Sequence, residues 1–298
     1  LLVAASASSE SLHGPFTDDF VDFLQRSPQR NEYALSAYTK YDADGTFGGR
    51  MMNESGKISL HPVLFVHGNS DSALFHSDSA TGWSESVRHF KENGHMGSSL
   101  YGLTYGTRNI NHSMTNSISC TNLLGLRSFV EAILEYTQAE KIDIVAHSMG
   151  VSLARKAIQG GKGQSPYLHS HLPTIISQVD AFVAIAGANY GMCLCLMDGL
   201  QEQPACGQSG FAPGSCGNSS GTMSQCSDEN SECEKDDYSS ILRQINDGPK
   251  EASFLASLWS KGDVIIGVNN IAWGRKTSEV RRSDYTHAYS HYSHFQVK

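Results

Sequence analysis

The sequence predicts an α/β protein, a mostly parallel sheet with helices on both faces, and three stretches carry that prediction. Residues 63–66 (VLFV) and 179–186 (VDAFVAIA) are short, largely apolar runs, the pattern of strands buried on both faces of a parallel sheet. Between them, residues 141–160 read KIDIVAHSMGVSLARKAIQG. There a β-branched run passes through small residues into apolar positions at helical spacing. Alternating strand and helix is the mark of parallel crossover connections.

Taken in order, Gly14-Pro15-Phe16-Thr17 opens the first helix. Thr17 caps it, Asp18 and Asp19 suit its positive end, and Phe16 is placed to staple onto Val21. Asp42-Ala43-Asp44-Gly45 begins like a calcium loop, but the later ligand positions do not fit, so it reads as a surface turn. Residues 41–61, rich in Gly, Asn and Ser, read as loop. The strand at 63–66 then turns out through His67-Gly68-Asn69. Trp83, Val87 and Phe90 share a helical face that Gly94 closes. Residues 100–105 form the next strand, 109–116 a polar loop, and Leu123, Leu126, Val130, Ile133, Leu134 and Thr137 mark a long helix. After the strand at 179–186 the rhythm breaks, and the sheet resumes at 254–260, followed at once by Lys261-Gly262-Asp263. The last segment, 286–298, reads as a polar loop holding His287, His291 and His294.

The break, at about 191–237, is an insertion rich in Gly, Ser and cysteine. Six of the seven cysteines, Cys193, Cys195, Cys206, Cys216, Cys226 and Cys233, fall there and are disulfide candidates that hold a segment with little core of its own. Leu194, Leu196, Met197, Leu200 and Phe211 offer it an apolar underside, and at the rim of the sheet it is either a lid or an inert stapled loop. Cys206, Cys216, Cys226 and Cys233 lack C-x-x-C spacing, which argues against zinc, and Cys120 is either a free thiol or partner to one of the six. Asn53, Asn111 and Asn218 head N-x-S sequons. Residues 1–13 read as a signal-peptide remnant, with an A-x-A-like site at Ala5-Ser6-Ala7, and a disordered N-terminus. Residues 14–298 then make one domain, and the protein is expected to be secreted. A formal charge of −8 and a pI near 5.9 leave no basic footprint for nucleic acid. No run approaches the roughly 18–20 apolar residues of a transmembrane helix.

The central stretch carries the chemistry. A strand, a tight turn and a helix around Ala146-His147-Ser148-Met149-Gly150 form the context of a nucleophile elbow, where residues two before and two after the serine must be small. A serine hydroxyl needs a histidine to take its proton and a carboxylate to orient that histidine. Ser148, Asp263 just past a strand end, and a terminal histidine follow one another in the chain order of an α/β-hydrolase. His294 is the chosen base because Phe295 and Val297 can anchor its loop, with His291 the alternative. The H-x3-H-x2-H spacing of His287, His291 and His294 would put three metal ligands on one helical face, but no carboxylate neighbours them, and no metal or cofactor is expected. Asp180 lies at the wrong end of its strand, and Asp236, Asp237 and Asp247 follow no strand.

VLFVHGNSD, KIDIVAHSMGVSLARKAI, SKGDVIIG and the terminal histidine together resemble the class 2 lipases, both the small bacterial AHSMG lipases and the nematode-type members, which share GPFT (14–17) and TFGG (46–49). The resemblance implies a secreted α/β-hydrolase fold, a lipid ester as substrate with a lipid–water interface as its setting, and no cofactor. It implies Ser148 as nucleophile, Asp263 as acid and His294 as base. It also implies the backbone N–H groups of Asn69 and Met149 as the oxyanion hole. Val151 stands where the bacterial proteins carry a second glycine, and the cysteine-rich insertion is foreign to them. The readings that compete with a lipase or carboxylesterase are another acyl hydrolase or acyltransferase on this fold, or a catalytically silent lipid-binding protein.

Overall fold

A computed structural model of the chain describes residues 14–52, 54, 58, 60–161, 172–214, 216 and 238–298. The signal remnant, the Asn53 and Asn218 sequons, Cys226, Cys233, Asp236 and Asp237 lie outside these residues. Among the described residues, strands β1 (Thr46–Phe47), β2 (Val63–Val66), β3 (Leu100–Leu103), β4 (Ile142–His147), β5 (Val179–Ile185), β6 (Phe254–Ser260), the two-strand ribbon β7 (Ile271–Ala272) and β8 (Arg275–Lys276), and β9 (Tyr285–Tyr289) alternate with six α-helices. These are α1 (Asp18–Gln25), α2 (Glu32–Lys40), α3 (Ser84–Glu92), α4 (Cys120–Thr137), α5 (Met149–Gln159) and α6 (Ser240–Asp247).

The main sheet has the order β1-β3-β2-β4-β5-β6-β9, with only β1 antiparallel to its neighbour. The chain first builds outward from β2 to β3, then returns to place β4 on the other side of β2. This reversal opens a crevice at the C-terminal ends of β2 and β4, the usual place for a ligand in an open α/β sheet.

Register explains why both faces are covered. Phe65 pairs with Gly102, and on their face Phe65 meets Trp83 and Phe90 of the α3 region at centroid distances of 5.4 and 5.3 Å. Leu64 pairs with Tyr101 on the opposite face, where Tyr101 meets Phe20 of α1 at 5.3 Å and Phe20 meets Phe129 of α4. A strand whose two faces both meet aromatics must be apolar throughout, and all four residues of β2 are buried. Thr17 caps α1 through its side chain to the Phe20 N–H, while Phe16 packs on Phe20, Tyr38 and Phe129.

Several sequence expectations need correction. Residues 41–61 contain β1, held by the register Phe47–Gly102. α2 and α6 were not anticipated, and both are short. The last segment is not wholly loop: Tyr285–Tyr289 forms the edge strand β9, so His287, His291 and His294 share no helical face. Among the described residues the insertion's disulfides are Cys193–Cys216 and Cys195–Cys206, and Cys120 at the start of α4 is bonded to none of them. Leu194, Leu196 and Met197 do not form the expected underside. The bonded cysteines interleaved with the leucines turn inward, Cys195 being buried, so Leu194, Leu196 and Met197 are exposed and only Phe211 is fully buried.

Candidate active site

Ser148 stands between β4 and α5 at φ 54° and ψ −126°, a left-handed backbone that few non-glycine residues adopt and that is held only by its surroundings. Its N–H donates to the Ile185 carbonyl at 2.8 Å, and its carbonyl accepts from Val151 at 3.0 Å. Small neighbours are required as the motif predicts: a Cβ on Gly150 would lie 2.3 Å from the His67 carbonyl oxygen. Val151, in place of a glycine, is fully buried because Gly187 leaves it room; a Cβ at Gly187 would come within 2.9 Å of a Val151 methyl.

The structure brings Ser148, His294 and Asp263 together. Asp263 follows β6, and its Oδ1 accepts the N–H groups of Ile265 at 3.0 Å and Ile266 at 3.1 Å, which sets the plane of the carboxylate. Its Oδ2 lies 2.7 Å from His294 Nδ1. The carboxylate accepts that proton, so Nε2 is the free lone pair, and Ser148 Oγ donates to it at 2.9 Å. All three side chains are buried, a setting in which electrostatic interactions are stronger than in water. His291 is exposed beside Gly262 and does not reach the serine chain.

The turn after β2 closes the other side. Gly68 lies against the serine, and a Cβ there would approach Ser148 Cβ to 2.8 Å. Asn69 is clamped by its side chain, donating to the Ser113 carbonyl at 2.8 Å and accepting from Asn116 at 2.6 Å. Met149 is the first residue of α5, so its N–H is one of the donors a helix start leaves unbonded. His67 supports this turn from beneath: it donates from Nδ1 to the Gly68 carbonyl at 2.6 Å and accepts the Tyr105 N–H on Nε2 at 3.0 Å. Burial, followed by opposing effects of Asp71 and the Gly68 carbonyl, pushes His67 down to about 4, so its ring is neutral near pH 7.

Sequence reasoning missed two supports. His147 donates to the His294 carbonyl, and Asp71 and Lys298 form a buried ion pair. The first has a local signal, a histidine adjoining the serine; the second pairs residues with no pattern between them. Among the described residues, one trio brings possible metal-ligand atoms within 4.8 Å of one another, His61, Asp143 and Asp180. It sits at the N-terminal ends of β4 and β5, away from Ser148, and Lys141 Nζ already bonds Asp180 at 2.6 Å.

A parallel sheet with a serine on the turn after its central strand, and carboxylate and imidazole on the loops after its last two strands, is an α/β-hydrolase. The family model described as Lipase (class 2) matches residues 60–298, and the chain belongs to that family. No curated protein matches the sequence. Similar solved structures include Aspergillus fumigatus lipase B, at 14% identity and TM-score 0.49 over 84% of this chain and 52% of that one. Paleococcus ferrophilus monoacylglycerol lipase is similar at 13% identity and TM-score 0.44, over 84% and 88% of the two chains. A Pyrococcus furiosus esterase is similar at 12% identity and TM-score 0.42, over 81% and 76%. The chain thus spans about half the length of the Aspergillus lipase, and at these identities the likeness is one of fold alone.

Proposed function

We propose that the protein is a secreted lipase or carboxylesterase that hydrolyses lipid esters of the triacylglycerol type through an acyl-enzyme. The observation that carries this reading is the continuous hydrogen-bond chain from Ser148 Oγ through His294 to Asp263, at 2.9 and 2.7 Å. Ser148 Oγ attacks the ester carbonyl carbon as His294 Nε2 takes its proton. The carbonyl oxygen, now an anion, is received by the N–H groups of Asn69 and Met149. His294 returns the proton to the departing alcohol; water, deprotonated by His294, then releases the carboxylic acid and restores Ser148. Asp263 keeps the imidazole in the tautomer that accepts from serine. The first proton transfer, from Ser148 Oγ to His294 Nε2, is between groups already within hydrogen-bond reach.

Substrate class is supported by what surrounds the crevice. Val264 and Ile265, immediately after Asp263, are 86% and 37% exposed, and Leu194, Leu196 and Met197 in the insertion are 38%, 44% and 57% exposed. The segments carrying them follow the C-terminal ends of β6 and β5, the end of the sheet that holds Ser148. Apolar side chains at that rim suit an ester presented at a lipid–water interface. Secretion is supported by the two disulfides and by exposed Asn111 in its sequon. Among the described residues no helix is long and apolar enough to cross a membrane.

The test is labelling with a serine-reactive fluorophosphonate, alongside hydrolysis of a soluble short-chain ester and of emulsified triacylglycerol. The expected result is labelling of the wild type, none of Ser148→Ala, and loss of hydrolysis in His294→Ala but not His291→Ala. Asp263→Asn should keep the geometry and lower kcat by about 10⁴-fold through the wrong tautomer. An unlabelled wild type would leave a silent lipid-binding protein as the better reading, and acyl transfer to an added alcohol in preference to water would leave an acyltransferase.

A further inference from the structure

Two charged side chains that the proposed reaction does not use lie buried beside it. The side chains of Asp71 and Lys298 are 0% and 3% exposed, and they form an ion pair. Asp71 Oδ1 also accepts the N–H groups of Ser72 and Gly82, each at 2.9 Å. The Lys298 ammonium stands 5.2 Å from the centroid of the Trp83 ring, which in turn meets His147 edge-on at 6.4 Å. Burial works to raise the Asp71 carboxyl, but Lys298, with His67 beside it, outweighs burial and holds the carboxyl below its usual range. Burial also draws the Lys298 ammonium down, against the pull of Asp71.

Taking two charges out of water carries a desolvation penalty that their attraction must offset, so a pair like this is a weak source of net stability. What it does supply is register. Asp71 lies two residues beyond Asn69, and Lys298 four residues beyond His294. Neither segment belongs to a strand or helix that would fix it through a ladder of backbone bonds. Between His294 and Lys298 the segment is held by the His147 bond to the His294 carbonyl, by buried Val297 and by a local bond from Gln296 to the Ser293 carbonyl, and none of these reaches the Asn69 turn. The ion pair is the side-chain tie between the turn carrying one oxyanion donor and the segment carrying the base.

We propose that Asp71 and Lys298 form a buried latch that holds the Asn69 turn and the His294 segment at their working separation, which makes both of them positioning residues. This inference rests on the hydrolase reading above. A misplacement of about 1 Å between reacting groups costs on the order of 100-fold in rate, so loss of the latch should appear in kcat and leave substrate binding nearly untouched.

The experiment compares Asp71→Asn, Lys298→Met, the double variant and Lys298→Arg. Each neutralising single variant leaves one buried charge alone and should lower Tm. The double variant leaves none, and its Tm should return to within a few degrees of wild type. Its kcat on a soluble short-chain ester should stay about 100-fold down, with KM within about twofold of wild type. Lys298→Arg, which keeps the charge, should recover most of the activity that Lys298→Met loses. In parallel, amide hydrogen exchange should quicken together at residues 69–72 and 294–297 in Lys298→Met and in the double variant. A double variant with wild-type kcat would overturn the proposal, as would exchange that quickens in one segment without the other. Exchange needs no substrate, so a wild type without esterase activity would sink the hydrolase reading while the latch is still judged on its own.

Discussion

His147 donates from Nε2 to the backbone carbonyl of His294 at 2.8 Å, so the residue beside the serine holds the segment that carries the proposed base. Burial first, then the neighbouring His294 and Lys298, push the His147 ring far below its ordinary titration range, and it is neutral. A neutral ring that donates from Nε2 keeps a lone pair on Nδ1, and that atom has no partner among the described residues. The ring therefore serves one bond. His147→Phe should fill much the same space, leave the His294 carbonyl unsatisfied, and cost about 1–3 kcal/mol in urea unfolding. Turnover of a soluble ester should fall by about tenfold or more, and His147→Gln, which restores a donor, should recover part of it. Equal turnover in the Phe variant and wild type would show that the bond does not position His294.

Two glycines near the serine are required for different reasons, and the difference can be measured. A Cβ on Gly150 meets backbone, 2.3 Å from the His67 carbonyl oxygen, so the helix must back away from β2. Gly150→Ala should lower stability by about 1–3 kcal/mol or more as an overpacked core. A Cβ on Gly68 meets the serine, 2.8 Å from Ser148 Cβ and 3.4 Å from its Oγ. Gly68→Ala should therefore lose activity out of proportion to stability, with fluorophosphonate labelling slowed by about 100-fold and a smaller fall in Tm than in Gly150→Ala. If the two variants lose activity and stability in the same ratio, Gly68 has no special relation to the nucleophile.

The parts of the fold legible in the sequence are those whose signal is local. β2, β4, β5 and β6 each read as a short strand because central parallel strands are buried on both faces, and the elbow reads from five consecutive residues. β9 escaped because an edge strand exposes most of its side chains: Tyr285, Thr286 and His287 are exposed, so no apolar alternation marks it. β1 escaped because two residues carry no period at all. At the site, the order Ser148, Asp263, His294 was readable, whereas the choice between His294 and His291 was a matter of which one the turn after β9 directs inward. The Asp71–Lys298 pair joins residues 227 positions apart and has no sequence pattern to reveal it.

Acid should destabilise the protein through His67. In the unfolded chain His67 takes a proton near 6.5, whereas in the folded protein burial pushes it down to about 4. Between those values the unfolded state binds the extra proton, so stability falls as pH falls through that window and is unaffected by this group above it. At pH 4.5 the loss from His67 alone is about 2–3 kcal/mol. His147, depressed in the same direction, adds to the same window. Urea unfolding at pH 7 and pH 4.5 measures the drop. His67→Gln keeps a donor for the Gly68 carbonyl and an acceptor for Tyr105 but cannot titrate, so its drop should be smaller by about 2–3 kcal/mol. A drop identical to wild type would place the acid sensitivity elsewhere.

Behind the elbow, α5 is tied down by charge and hydrogen bonds as well as by packing. Arg155 donates from Nε to Glu251 at 2.6 Å, with both side chains almost wholly buried, and from Nη1 to Asn189 at 2.6 Å and Asn246 at 3.0 Å. Gln159 donates to the same Glu251 oxygen at 2.8 Å. The network spans α5, α6, the turn after β5 and the approach to β6, so every polar atom removed leaves another unpaired in the interior. Arg155→Met should strand the Glu251 carboxylate and cost about 3–5 kcal/mol, and Glu251→Gln should strand the guanidinium at similar cost. Combining the two leaves no buried charge and should cost less than the sum of the single losses, a coupling on the order of 1–3 kcal/mol in a double-mutant cycle. Strict additivity in that cycle would mean that the two side chains act independently despite their 2.6 Å contact. Since Arg155 lies seven residues beyond Ser148 on the helix that starts at the elbow, turnover in the double variant also reports how much of the serine's placement depends on the anchoring of α5.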